Sequence, residues 1–162
     1  MKAYIGLGSN LGRPADNVSE ALHRLAELPG VDRVRASSLY DTEPVSEYEQ
    51  PAYVNAAAEL ETALSPRELL EAMQHIQRDM GQQGHPGGAP RLIDLDLLLY
   101  EGVVSDDEVC TLPHPRMHER AFVLVPLCEL APTLVHPQSG KTLRELCDDL
   151  PPAEGATARS ED

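Results

Sequence analysis

Apolar and polar positions alternate along residues 2–8. Ala3, Ile5 and Leu7 share one face and Tyr4, Gly6 and Gly8 the other, which predicts a strand. Val18, Ala21, Leu22, Leu25 and Leu28 then recur at helical spacing until Pro29-Gly30 interrupts them. Residues 31–40 are rich in branched side chains and predict a second strand. Two prolines and four acids make residues 41–51 a loop. Alternation resumes over 53–61, with Val54, Ala56, Ala58 and Leu60 facing one way and Tyr53, Asn55, Ala57 and Glu59 the other. Ser65-Pro66-Arg67-Glu68 is a capping box with proline at the first helical position, and Leu69, Leu70, Met73, Ile76 and Met80 form the stripe of the helix it starts. Residues 81–90 hold four glycines and two prolines and predict a flexible loop. The strongest strand signal spans 92–100, where Ile93, Leu95, Leu97 and Leu99 point into an apolar layer and Asp94 and Asp96 point together to the opposite face.

This order, β-α-β-β-α-β, is the split arrangement of ferredoxin-like α+β folds. Additional C-terminal helices follow: one within 120–130, its regularity limited by Pro126, and one from a second capping box at Thr142-Leu143-Arg144-Glu145, burying Leu143, Leu146, Cys147 and Leu150. A chain of 162 residues predicts one domain, here 1–150, with a small, polar, acidic tail over 151–162 that is expected to be disordered.

Charge narrows the function. Thirteen Lys and Arg against 27 Asp and Glu leave a net charge of −14, which disfavours nucleic acid and anionic membranes as partners. No run of about 18 apolar residues is present, and residues 1–6 lack the apolar core of a signal peptide. Cys110, Cys128 and Cys147 fit no zinc or disulfide spacing, as expected for thiols in a reducing cytoplasm.

The Asp94/Asp96 pair is the first candidate site, its Cα atoms roughly 6.7 Å apart on an extended strand. Two neighbouring carboxylates repel unless a cation lies between them, and hard oxygen donors suit Mg²⁺, whose shell water and phosphate oxygens complete. Two solvated acids on an exposed face would give the same pattern. The second is Leu112-Pro113-His114-Pro115-Arg116-Met117-His118-Glu119-Arg120-Ala121-Phe122. From His114 to Phe122 it holds two His, two Arg and the one Phe of an acidic chain. Arg116 and Arg120 suit a phosphate clamp, and His114 suits a hydrogen bond or proton transfer to phosphate. A basic turn pairing with nearby acids is the alternative. Tyr53 and Asn55 share a strand face, and a flat ring beside a neutral amide suits a planar heterocycle. Gly6-Leu7-Gly8-Ser9-Asn10-Leu11-Gly12 has the wrong spacing for a dinucleotide fingerprint, and no Walker A sequence is present.

Taken together these segments resemble 6-hydroxymethyl-7,8-dihydropterin pyrophosphokinases of folate biosynthesis. The matches are Gly8-Ser9-Asn10-Leu11-Gly12, Thr42-Glu43-Pro44-Val45, Gln50-Pro51-x-Tyr53-Val54-Asn55, Pro90-Arg91-x-Ile93-Asp94-Leu95-Asp96 and Leu112-Pro113-His114-Pro115-Arg116-x-x-x-Arg120-x-Phe122-Val123. They cover roughly residues 2–150. The resemblance implies an ATP-dependent diphosphokinase that moves an intact pyrophosphoryl group from ATP to the pterin hydroxymethyl oxygen and releases AMP; a cytoplasmic monomer is expected. It implies two Mg²⁺ ions on Asp94 and Asp96. It implies a pterin between Tyr53 and Phe122, read by Asn55, with Gly8, Thr42, Pro44 and Val45 around it. Gln74, Leu97, Thr111, His114, Arg116 and Arg120 would surround the nucleotide, Leu97 by apolar packing, and Arg91 would reach the triphosphate. Gln82 stands where the family commonly has arginine, Ala89 where it has glycine and Gln77 where it has glutamate. An arginine-poor 81–90 loop predicts that affinity is kept better than turnover; the alternative is a pterin- or nucleotide-binding homologue with weakened catalysis.

Overall fold

The computed structural model describes residues 1–42, 53–81, 92–150 and 156–158. Along them run β1 (Lys2–Ser9), α1 (Pro14–Ala26), β2 (Val31–Ala36), β3 (Tyr40–Thr42), β4 (Tyr53–Thr62), α2 (Pro66–Gly81) and β5 (Asp94–Tyr100). A short hairpin follows, β6 (Ser105–Asp106) with β7 (Thr111–Leu112), then a single 3-10 turn at Met117–Glu119, α3 (Ala121–Leu130), α4 (Leu143–Asp148) and β8 (Ala156–Ala158). The main sheet is ordered β5-β1-β4-β3-β8, with β2 also paired to β4, and every pairing is antiparallel.

Each sheet face has its own core, as the alternation of β1 and β4 requires. Ala3, Ile5, Leu7, Val54, Ala56, Ala58 and Leu60 pack with Val18, Ala21 and Leu25 of α1 and Leu69, Met73, Ile76 and Met80 of α2. Tyr4 and Ala57 face the other way and pack with Met117, Val123, Leu124, Leu127, Leu143 and Leu146. The helix starts follow local chemistry. Glu68 N donates to Ser65 Oγ at 3.1 Å while Ser65 N donates to Glu68 Oε1 at 3.0 Å, closing the capping box of α2. Thr142 and Glu145 close the same box on α4. Arg35 Nη2 donates to the Leu130 carbonyl at 2.8 Å, satisfying one of the acceptors that the end of α3 leaves open.

Three expectations need correction. The strand expected over 31–40 is two strands, broken at 37–39. Ser37 is the cause: its hydroxyl accepts from Ala57 N at 2.9 Å, and Ser38 N turns away to Glu129, so the side chain replaces part of the ladder. Leu99 does not share a core with Leu95 and Leu97. The register of β5 shifts between Tyr4 and Ile5, where Leu98 is the extra residue, so Leu98 and Leu99 join the α3 side and Tyr100 returns to the α1/α2 side. The stretch expected to be structureless beyond residue 150 contains β8, which pairs with β3. Apart from Asp41 and Thr42, which begin in β3, and Gly81, which ends α2, the two predicted loops lie outside the described residues.

Candidate active site

β1 carries two glycines at the centre of the site face. Gly8 stands opposite Asn55 of β4 on one side and Asp94 of β5 on the other, and Gly6 stands opposite Ala57 and Asp96 in the same way. Directly opposed residues of an antiparallel pair present their side chains on one face. Asn55, Asp94 and Asp96 therefore share a face, with Gly8 and Gly6 leaving bare backbone between amide and carboxylates. The row extends to Tyr40 of β3, opposite Asn55, and Thr42 stands opposite Tyr53. Asn55 is buried and Tyr53 half-buried, whereas Asp94 and Asp96 are exposed. A Cβ on Gly8 would sit 2.6 Å from Asn55 Oδ1, so the amide lies across the glycine and only glycine leaves it there.

The second motif arrives at the same face from beyond the hairpin. His114 N donates to the Leu98 carbonyl at 2.8 Å, tying this segment to β5, and buried Met117 anchors it to the second core. Burial holds the His114 imidazole below its ordinary value. Asp96 pulls it back up, while Arg120 and Arg116 add to the lowering. One carboxylate and two guanidiniums thus act on one imidazole. Its Nδ1 accepts from Arg116 N at 3.4 Å, which leaves the neutral ring's proton on Nε2 as an outward donor. The Arg120 guanidinium lies over the Phe122 ring, 5.6 Å from its centroid, and half-buried Phe122 packs on the second core. Arg116 sits 3.9 Å from Glu119, and His118 3.7 Å from the same carboxylate. For Arg116, pairing with a nearby acid is therefore realised within its own turn, on an exposed and weak contact.

The remaining predicted residues are less gathered. Thr111 is half-buried in β7, its hydroxyl donating to the Asp107 carbonyl at 2.9 Å. Gln74 is exposed on α2, three residues before Gln77, whose Oε1 accepts from Leu95 N at 2.6 Å. Leu97 is 5% exposed in the core against α1 and α2, on the side of β5 opposite Asp96. That placement gives Leu97 a core role. Pro44, Val45, Gln82, Ala89 and Arg91 lie outside the described residues.

Residue-by-residue reading missed Ser9 and Asn17. The buried Ser9 Oγ donates to the Leu92 carbonyl at 2.6 Å and accepts from Asn17 Nδ2 at 3.1 Å, and the same Asn17 amide donates to the Leu11 carbonyl at 2.9 Å. These bonds fix the turn after β1 and the approach to Asp94. Their only signal was a pair of small polar residues at the end of a strand and in the following helix.

Two carboxylates on one face suit a hard cation that shares its shell with substrate oxygens. Among the described residues no group of three His, Cys, Asp or Glu side chains is placed to hold a metal. Mg²⁺ is the common ion that binds through one or two carboxylates and completes its octahedron with water and phosphate, so the donor set fits it.

Residues 4–132 match the family model described as 7,8-dihydro-6-hydroxymethylpterin-pyrophosphokinase (HPPK). The chain is 43% identical over 152 residues to a 2-amino-4-hydroxy-6-hydroxymethyldihydropteridine pyrophosphokinase of Methylorubrum extorquens, covering 94% of this chain and 95% of that one. It is 43% identical over 137 residues to the protein of the same name from Haemophilus influenzae, covering 85% and 86%. It is also 42% identical over 149 residues to the folic acid synthesis protein fol1 of Schizosaccharomyces pombe; there it covers 92% of this chain but spans only 20% of the longer protein. Among solved structures, Plasmodium falciparum HPPK-DHPS wild type with pteroate aligns with a TM-score of 0.71 at 16% identity over 91% of this chain and 42% of that one, a likeness of fold. With a family match through most of its length and 43% identity to relatives of its own size, the chain belongs to the 7,8-dihydro-6-hydroxymethylpterin-pyrophosphokinase family.

Proposed function

We propose that the row Asn55–Gly8–Asp94 is where the two substrates meet. The chain transfers pyrophosphate from ATP to the hydroxymethyl group of 6-hydroxymethyl-7,8-dihydropterin, giving AMP and the pterin diphosphate of folate biosynthesis. The observation that carries the site is the register: a buried amide, a strand of bare glycine backbone and two exposed carboxylates follow one another across neighbouring strands on one face. The bicyclic ring lies over the glycines. Asn55 reads its donor-acceptor edge and Tyr53 and Phe122 supply flat surfaces, with Thr42, Pro44 and Val45 as further pterin-binding residues. The triphosphate extends toward the segment 111–120, where neutral His114 donates from Nε2 and Arg120 and Arg116 neutralise charge; Arg91 is a further cation of this reading. Gln74 and Thr111 border the nucleotide. Asp94 and Asp96 would hold two Mg²⁺ ions, which when bound would supply positive charge against the triphosphate and make the hydroxyl more acidic.

The chemistry needs alignment more than covalent help. The pterin hydroxyl oxygen attacks the β-phosphorus and its proton passes to solvent, the bond from that phosphorus to the α,β-bridging oxygen breaks, and AMP leaves with the bridging oxygen. The chain's own contribution is to orient the hydroxymethyl group, hold the phosphates in line and keep water away. The insertion of β4 between β1 and β2 supports reading the core as ferredoxin-like, and the two cores built on one sheet support a single domain over 1–150. No helix among the described residues is long and apolar enough to cross a membrane. A cytoplasmic monomer acting on small molecules, without nucleic acid or membrane, completes this reading. The binding-only alternative is not favoured, because the relatives of matching length are named for the activity.

The test is AMP release from ATP, Mg²⁺ and the reduced hydroxymethylpterin. AMP that depends on the pterin and is lost in Asp94→Asn is expected. Absence of pterin-dependent AMP overturns the function, and an Asp94→Asn variant with wild-type rate overturns the site.

A further inference from the structure

Among the described residues β5 is the last strand on its side of the sheet, and the backbone donors along its outer side face no described strand. One of these donors matters more than the others. The N–H of Leu95 lies between Asp94 and Asp96, and it donates to Oε1 of Gln77 at 2.6 Å. On the inner side, Asp94 and Asp96 pair with Gly8 and Gly6. The short segment carrying both carboxylates is therefore gripped from β1 on one side and from α2 on the other.

We infer that Gln77 is a positioning residue for the Asp94/Asp96 pair. The inference deepens the functional reading above and rests on it. Rotating the peptide unit at Leu95 moves its two flanking side chains together, so a bond at this N–H fixes the spacing and direction of both carboxylates at once. Gln77 is half-buried near the end of a 16-residue helix whose Met73, Ile76 and Met80 are locked in the core, so the acceptor is itself rigidly held. An amide rather than a carboxylate supplies the acceptor without adding a third negative charge beside the pair. Groups that orient metal-binding side chains typically matter about 10–100-fold in affinity or activity.

Gln77→Leu removes the acceptor and Gln77→Glu keeps one. In Gln77→Leu the Mg²⁺ concentration giving half-maximal AMP release is expected to rise about tenfold, and Mn²⁺ binding, followed by electron paramagnetic resonance with a non-hydrolysable ATP analogue, to weaken by a similar factor. The KM for the pterin should stay within about twofold. In metal-free protein the Leu95 amide should exchange with deuterium at least about tenfold faster. Gln77→Glu should restore amide protection and Mn²⁺ affinity to at least the wild-type level. If Gln77→Leu does not fold, Gln77→Ser is read by the same measurements. A uniform loss of kcat with unchanged Mg²⁺ and Mn²⁺ dependence overturns the inference alone, because a merely structural role predicts that outcome. A wild-type protein without pterin-dependent AMP release overturns the functional reading and the inference with it.

Discussion

The two sides of β5 put opposite chemistry on alternate residues. Leu95 and Leu97 are buried against α1 and α2, while Asp94 and Asp96 stand in solvent on the other side. The same division runs through β1 and β4: one face is continuously apolar, and the other is apolar only where α3 and α4 cover it. Beyond that cover the face carries Asn55, Gly8 and the aspartates. The core and the carboxylates of the proposed site are thus carried by side chains one residue apart, and a strand's period of two keeps them from interfering.

Substitutions on β5 give the sharpest test of that division. Asp96→Asn should lower pterin-dependent AMP release by about 10²–10³-fold, with the melting temperature nearly unchanged, because the carboxylate is exposed. Leu97→Ala should do the reverse, costing ~2–5 kcal/mol in chemical denaturation while leaving the KM values of the remaining folded protein unchanged. If Leu97→Ala instead raised the KM for ATP without loss of stability, its side chain would belong to the nucleotide site after all.

Gly8→Ala probes the boundary between the amide and the carboxylates. Its methyl group would meet Asn55 Oδ1 at 2.6 Å and displace the amide. Pterin affinity by calorimetry should fall about tenfold and nucleotide affinity should hold. Equal losses for both ligands would show that the glycine serves the whole face rather than the ring.

Acid tests the two histidines of the second core side. Burial lowers His114, and burial followed by the nearby His118 lowers His136. In the unfolded chain each takes up a proton around 6.5, whereas in the folded chain each does so only at lower pH. The unfolded state then binds more protons, so stability should drop as pH falls through that value. We expect the melting temperature to decrease between roughly pH 7.5 and 5.5. His136→Asn should flatten part of that slope, and a rise on acidification would contradict the account. The smallest effect belongs to the α4 cap: Thr142→Ala should cost ~1 kcal/mol, measured by denaturant, without altering AMP release.

Local chemistry explains what was legible in the sequence. The stripes of α1 and α2, both capping boxes and the shared face of Asp94 and Asp96 depend on residues within a few positions of one another, and each takes the expected form. The features that escaped are long-range or depend on competition. The Ser9–Leu92 bond spans 83 positions. The shift at Leu98 arises because β5 carries one more residue than β1 can match. The break after β2 depends on Ser37 finding Ala57, and the acceptor for Leu95 comes from a helix. Each is a question of which partner a backbone group meets, and spacing alone does not answer it.

β8 lies against the flank of β3 that faces away from β4. Uncovered, that flank would offer a row of free amides and carbonyls onto which another molecule could zip. Elsewhere β2 presents Asp32, Arg33 and Arg35 along its margin, and Gln77 occupies a donor on β5. Three residues near the C-terminal end thus act as a selvedge, and removing them should favour chain-to-chain stacking along the strand that carries Tyr40 and Thr42.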